Sequence, residues 1–150
     1  MRAAGCPLCD AAGGPLVFEG DKFRLVRAEE SGYPAFYRIV WRDHVREFSD
    51  LGDADRALCL DAVVTAERVL REHLQPAKVN LATLGNMVPH LHWHVIARFE
   101  WDPAWPAPVW AAPQRPVDAA AIAAIEARRP DLEDALAAAL GQRSPNRAGS

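Results

Sequence analysis

The sequence predicts an α+β domain: a small, mostly antiparallel sheet of about five strands with one long helix packed on it. Three observations carry this. Short runs rich in β-branched and aromatic residues are separated by turn residues. A single long stretch between the third and fourth runs has apolar positions three and four apart. A second, alanine-rich helical stretch follows the last run. At 150 residues the chain suits one domain with a core of its own.

"PLVFE" (15–19) and "KFRLVRA" (22–28) read as strands joined by a hairpin turn at Gly20-Asp21. "ESGYP" reads as a loop and "AFYRIVW" (35–41) as the third strand. "RDHVREFSDL" leaves that strand and places His44 near its end. The segment 53–74, "DADRALCLDAVVTAERVLREHL", is the long helix. Its apolar side is Leu60, Val63, Val64, Ala66, Val69, Leu70 and Leu74, and Pro76 follows as a stop. "KVNLATL" (78–84) and "HLHWHVIARF" (90–99) are the fourth and fifth strands, with Gly85-Asn86 and Pro89 between them. The proline- and tryptophan-rich piece 100–116 predicts an extended segment laid over the domain. "VDAAAIAAIEARRPDLEDALAAALG" (117–141) predicts two helices divided at Pro130. Residues 142–150 read as a frayed tail. The main domain is expected over 1–112, with a helical extension over 113–150.

The formal net charge of -3 gives no general attraction to nucleic acid. No apolar run is long enough to cross a bilayer, so no membrane partner is expected. "MRAAGCPLCD" lacks the apolar stretch of a secretory signal, and a cytoplasmic location is the expectation. Three cysteines, an odd number, argue against a disulfide framework.

The chemistry concentrates in "HLHWHVIARF". His90, His92 and His94 alternate, so a strand lines all three imidazoles on one face, about 7 Å from one to the next. Leu91, Trp93 and Val95 then face the core. A lone strand histidine is usually a surface or satisfied core residue, and His73 on the helix is read that way. Three of five histidines in one five-residue window need a further reason. One is a catalytic metal site, for which His-x-His suits zinc or iron. Glu100 and Asp102 have the right parity to complete it, although Asp102 precedes a proline and leaves the sheet. Another is phosphoryl chemistry: a neutral imidazole attacks phosphorus while neighbouring histidines donate to the phosphate oxygens.

"GNMVPHLHWHVIARF" resembles the signature of the histidine-triad (HIT) family, His-φ-His-φ-His-φ-φ with φ apolar, and His90 to Ile96 fit every position. The resemblance covers about residues 6 to 110. It extends upstream, where Asn80 opens the preceding loop and Asn86 stands four residues before His90, and downstream to "PAPVW". It implies a HIT-like fold and a nucleotide substrate. His92 would attack the α-phosphorus, and His94 would hydrogen-bond the α-phosphate or the leaving bridge oxygen. His90 would orient the nucleophile through its backbone carbonyl, and Asn80 and Asn86 would contact the phosphate and ribose side. Turn formation is the competing role for the two asparagines. The resemblance also implies a homodimer and no organic cofactor. Dinucleoside polyphosphates and phosphoramidate or adenylate-like nucleotides are the implied substrates.

The chain departs from the family where many relatives carry Gly-His or Thr-His, for it has Ala35-Phe36. It has Trp41-Arg42-Asp43-His44 in place of Pro-Lys-x-His. The lost histidine keeps a non-catalytic nucleotide-binding module as an alternative. Glu29 or Glu30 is a candidate for the ribose, with solvated loop charge as the plainer reading. Cys6-Pro-Leu-Cys9 has the spacing of half a zinc site. Some relatives complete it with the histidine after the third strand and the first of the triad, which implies a structural zinc on Cys6, Cys9, His44 and His90. Two reduced cysteines in a mobile N-terminus are the alternative. A thioredoxin-like pair would follow a strand and open a helix, and "DAAGG" suggests neither. Cys59 is read as a small core residue.

Overall fold

The computed structural model describes residues 1–142. The tail expected from 142 onward therefore lies, apart from Gln142, outside the described residues. Five strands form one antiparallel sheet: β1 (Leu16–Glu19), β2 (Phe23–Arg27), β3 (Phe36–Trp41), β4 (Lys78–Ala82) and β5 (His92–Arg98), in the order β1-β2-β3-β5-β4. The β1–β2 hairpin closes with Gly20 N–H donating to the Phe23 carbonyl at 2.9 Å. Between β4 and β5, Gly85 takes a φ of +74°, which a side chain would resist.

The long helix α2 spans Asp53–Leu74, as its apolar period predicts. Asp53 and Asp55 sit in its first turn and Arg71 and His73 in its last, each matching the sign of the helix dipole. Gln75 ends it in the left-handed region at φ 44°, donating to the Arg71 carbonyl. Its buried side is Cys59, Ala62, Val63, Thr65, Ala66, Val69, Leu70 and Leu74. Leu60 and Val64, expected inside, are exposed, because a helix this long shows the sheet a stripe narrower than its apolar residues could fill. Cys59 is a core residue, and burial pushes its thiol up to about 12.

A single helix, α3 (Ala119–Gly141), replaces the two expected around Pro130. The proline removes one hydrogen bond, and the carbonyl it frees is that of Glu126. Both residues lie on the exposed side, where water can take that bond. Ile125 before the proline and Leu132, Leu136 and Leu140 after it are buried against one core, which holds both halves in line. Among the described residues no helix is long and apolar enough to cross a membrane.

The two faces of the sheet differ. Leu25, Tyr37, Ile39, Val79, Leu91 and Val95 join α2 and α3 in the main core. On the opposite face, Val26 and Val40 pack under the N-terminal segment, with Cys6, Leu8 and Cys9. Farther along, Ala28, Phe36 and Ile96 pack with Tyr33 and Val109. The proline-rich piece is turn-rich rather than extended and lies on the domain as expected. It is tied to β5 by an ion pair: Arg98, 1 % exposed, donates to Asp102 at 2.7 and 3.0 Å and to the Ala107 carbonyl at 2.8 Å. His92 and His94 thus lie between two covers on the second face.

If α3 belongs to the core as its burial indicates, Leu136→Ala should lower the unfolding free energy by about 2–5 kcal/mol in urea denaturation. A loss under about 0.5 kcal/mol would place α3 outside the cooperative unit.

Candidate functional site

Antiparallel pairing sets His92 opposite Val40 and His94 opposite Arg38. The three imidazoles share a face, but that face is not wet: His90 is 0 % exposed, His92 8 % and His94 6 %. A merely solvated row of histidines is therefore set aside.

His90 uses each polar group differently. Its Nε2 lies 2.7 Å from the Trp41 carbonyl, which can only accept, so Nε2 carries the proton. Burial lowers its pKa below the usual range, against the opposing pull of that carbonyl. The neutral ring then leaves Nδ1 as a bare lone pair, 3.4 Å from Cys6 Sγ and 3.5 Å from Cys9 Sγ. Cys9 Sγ is also 3.6 Å from His44 Nδ1. All four donor atoms lie within 4.8 Å of one another. Tetrahedral zinc, with bonds of about 2.3 Å to sulfur and 2.0–2.1 Å to nitrogen, separates S from N by about 3.6 Å. The donor set therefore fits zinc in both type and spacing. One lone pair aimed at two sulfurs is better served by a shared cation than by a single S–H bond, and the Trp41 carbonyl gives His90 the usual outer partner of a zinc-bound imidazole. Cys6 also caps a one-turn helix, α1 (Pro7–Asp10), which the sequence reading did not expect.

The His90 carbonyl accepts from His92 Nδ1 at 2.6 Å. That bond leaves Nε2 as the lone-pair nitrogen of a neutral ring. Burial is the main cause of a lowered His92 pKa, with Arg38 adding to it and the His90 carbonyl opposing. Thr83 Oγ1 donates to the His92 carbonyl at 2.7 Å, fixing the backbone on the other side. The His94 ring meets those of His92, Phe36 and Trp110 edge-on at 4.9, 5.5 and 5.2 Å between centroids. Burial, followed by His92 and Arg38, pushes His94 down to about 4, so it is neutral at pH 7. Its Nδ1 is buried with no hydrogen-bond partner among the described residues.

Asn80 falls in the middle of β4 rather than at a loop, opposite Ile96, and so shares the triad face. Its side-chain oxygen accepts from Arg98 Nη1 at 2.7 Å. Asn86 stands exposed in the β4–β5 connection. Glu30 pairs with Arg38 at 3.6 Å. Asp102 has left the sheet and serves Arg98. The sequence reading missed Arg38 and Trp110 beside His94. Arg38 left a signal, a lone charge in the otherwise apolar "AFYRIVW"; Trp110 ends the "PAPVW" of the resemblance, but no local pattern sets it against His94.

A protein-family model described as the HIT domain matches residues 13–101, more than half of the chain. The chain belongs to the HIT family. Among solved structures, a histidine triad protein from Bradyrhizobium japonicum is 28 % identical, with a TM-score of 0.69 over 86 % of this chain and 92 % of that one. A histidine triad protein from Marinobacter aquaeolei VT8 is also 28 % identical, with a TM-score of 0.68 over 89 % and 93 %. A zinc-bound histidine triad family protein from Mycobacterium smegmatis shares the fold at 19 % identity, with a TM-score of 0.59 over 92 % and 94 %. A search of curated proteins found no significant match. The α+β architecture expected from the sequence is that of this HIT family.

His94 sets a pH dependence whose sign follows from its lowered pKa. The unfolded ring takes a proton near 6.5 and the folded one only near 4, so the unfolded state binds more protons in between. Stability should be unaffected by His94 above pH 6.5 and should fall as pH drops from 6.5 toward 4. In NMR titration the His94 ring should have its midpoint near 4. A midpoint at 6 or above would contradict the burial described.

Proposed function

We propose that this HIT-family chain is a nucleotide hydrolase or transferase that cleaves a bond to the α-phosphate through a nucleotidyl-histidine intermediate on His92. The observation that carries the reading is the 2.6 Å hydrogen bond from His92 Nδ1–H to the His90 carbonyl. It orients the ring and fixes a proton on Nδ1, so in the neutral ring, which burial favours, Nε2 is the free lone pair an imidazole nucleophile requires. Nε2 attacks the α-phosphorus and forms an N–P bond. The bond from phosphorus to the leaving group breaks, and that group departs with the electron pair. As the His92 ring gains positive character, the His90 carbonyl stabilises the N–H facing it. His94, neutral and with an unsatisfied ring nitrogen, contacts the α-phosphate or the leaving atom. Water then attacks phosphorus and gives up a proton, the N–P bond breaks, and the nucleoside monophosphate leaves with His92 restored. With another acceptor in place of water, the nucleotidyl group leaves bound to that acceptor.

Asn80 keeps its amide N–H groups for the phosphate and ribose side, since its oxygen is held by Arg98. Asn86, exposed in the β4–β5 connection, is assigned to the same side. Dinucleoside polyphosphates, nucleoside phosphoramidates and adenylates are the substrate classes we assign. Cys6, Cys9, His44 and His90 would hold a zinc ion whose role is structural. With four protein ligands no position is left open for catalysis, and the ion would tie the N-terminus to the catalytic strand. The open edge of β4 and the exposed Leu60, Val64 and Leu81 support a homodimer.

Two experiments test this. The protein is incubated with labelled nucleotides, quenched in base to preserve the P–N bond, and searched by mass spectrometry for an adduct on the peptide holding residues 90–94. Wild type should carry it on His92. His92→Ala should lose mononucleotide release by at least about a thousandfold while the protein stays folded by circular dichroism, and undiminished turnover would reject the mechanism. For zinc, elemental analysis should find one ion per chain. Cys9→Ser should lose the metal and melt about 5 °C lower or more, corresponding to ~2 kcal/mol. A metal-free wild type of equal stability would remove the zinc assignment.

A further inference from the structure

The triad face of the central strands also carries Arg24, Arg38 and Arg98. Arg24 is engaged by the carbonyls of Leu8, Ala11 and Ala12. Arg98 is enclosed, its donors taken by Asp102, Asn80 and Ala107. Arg38 differs from both. Its Nε is buried without a hydrogen-bond partner among the described residues. Its ion pair with Glu30 spans 3.6 Å, too long for a hydrogen bond, and Glu30 itself is more than half exposed. A pair of that kind contributes little to stability. Two buried donor or acceptor atoms therefore stand unsatisfied on one side of the site, Arg38 Nε and His94 Nδ1, on residues paired directly across β3 and β5.

The side chain is nonetheless held in place. Its guanidinium lies over the Phe36 ring at 5.4 Å, and Phe36 in turn meets the edge of His94. A partly desolvated cation on an aromatic face is oriented as well as attracted. Glu30 partly balances its charge across 3.6 Å. An anion between Arg38 and His94 would satisfy both orphaned atoms, and a charge-assisted bond of about 2.7–2.9 Å would outcompete the long contact with Glu30.

We infer that Arg38 is the residue that supplies positive charge to the substrate, its guanidinium gripping non-bridging oxygens of the phosphate that His92 attacks. The inference rests on the nucleotidyl-transfer reading above and adds a group to it. His92 and His94 are neutral rings that offer a lone pair and a hydrogen bond but no charge. A guanidinium brings a full charge and parallel N–H bonds whose geometry matches a phosphate. Negative charge on those oxygens grows as Nε2 adds to phosphorus, so the contact strengthens where it lowers the barrier.

The test compares ligands that differ only by the phosphate. Affinities of the four ribonucleoside 5′-monophosphates and their parent nucleosides are measured for wild type, Arg38→Met and Arg38→Lys. Wild type should prefer one monophosphate over its nucleoside, and Arg38→Met should shrink that preference by about tenfold or more while nucleoside affinity holds. Unchanged nucleoside binding also reports an intact fold, which a merely structural arginine would not spare. Arg38→Lys should recover part of the preference, and its kcat should fall more than its KM rises. A wild type that forms the His92 adduct, with Arg38→Met keeping the full preference, overturns this inference alone. A wild type without adduct and without phosphate preference overturns both. If Arg38→Met does not fold, Arg38→Lys decides: an unchanged kcat rejects the role of the guanidinium fork.

Discussion

The site depends on how one buried histidine divides its polar atoms. His90 gives its Nε2 proton to the Trp41 carbonyl, turns Nδ1 toward two thiols, and offers its own carbonyl to His92. Each choice limits the next. With Nε2 committed, Nδ1 can only accept or bind a cation. With the carbonyl committed, His92 has a single tautomer. A ring at 0 % exposure cannot trade these partners for water, so the assignment is held by the cost of leaving any of them unmade.

The rest of the second face serves that arrangement. The cysteine segment covers Val26 and Val40 at one end, and the proline-rich segment covers Ala28, Phe36 and Ile96 at the other. In the strip between them His92 keeps 8 % and His94 6 % of its surface exposed. Desolvation is what keeps both rings neutral at ordinary pH, and a neutral ring is the reactive form of a nitrogen nucleophile. The same dryness strengthens any interaction between Arg38 and an anion, since a partly buried charge is screened less than one in open solvent.

Much of this was legible in the chain. The five strands and α2 follow from alternation, β-branching and a 3.6-residue period, signals that are local. The clustering of Cys6, Cys9, His44 and His90 was anticipated only through resemblance to relatives, because no local pattern brings residue 6 to residue 90. What escaped is non-local or competitive. Pro130 is a helix breaker by propensity, but burial on both sides of it outweighs one missing hydrogen bond. Leu60 and Val64 match the apolar period, which says which residues can be buried but not how wide the buried stripe is. Arg38 meets His94 only once the register between β3 and β5 is known. The Arg98–Asp102 pair joins a strand to a turn-rich piece with no pattern of its own.

That last pair has a mechanical result. Arg98 belongs to the same strand as the triad, and it fastens Asp102 and the Ala107 carbonyl, three residues short of Trp110. The segment that brings the half-exposed Trp110 indole beside His94 is therefore fastened to the strand that carries the triad. Strand and cover are thus joined beside the triad by side-chain bonds and not by chain connectivity alone.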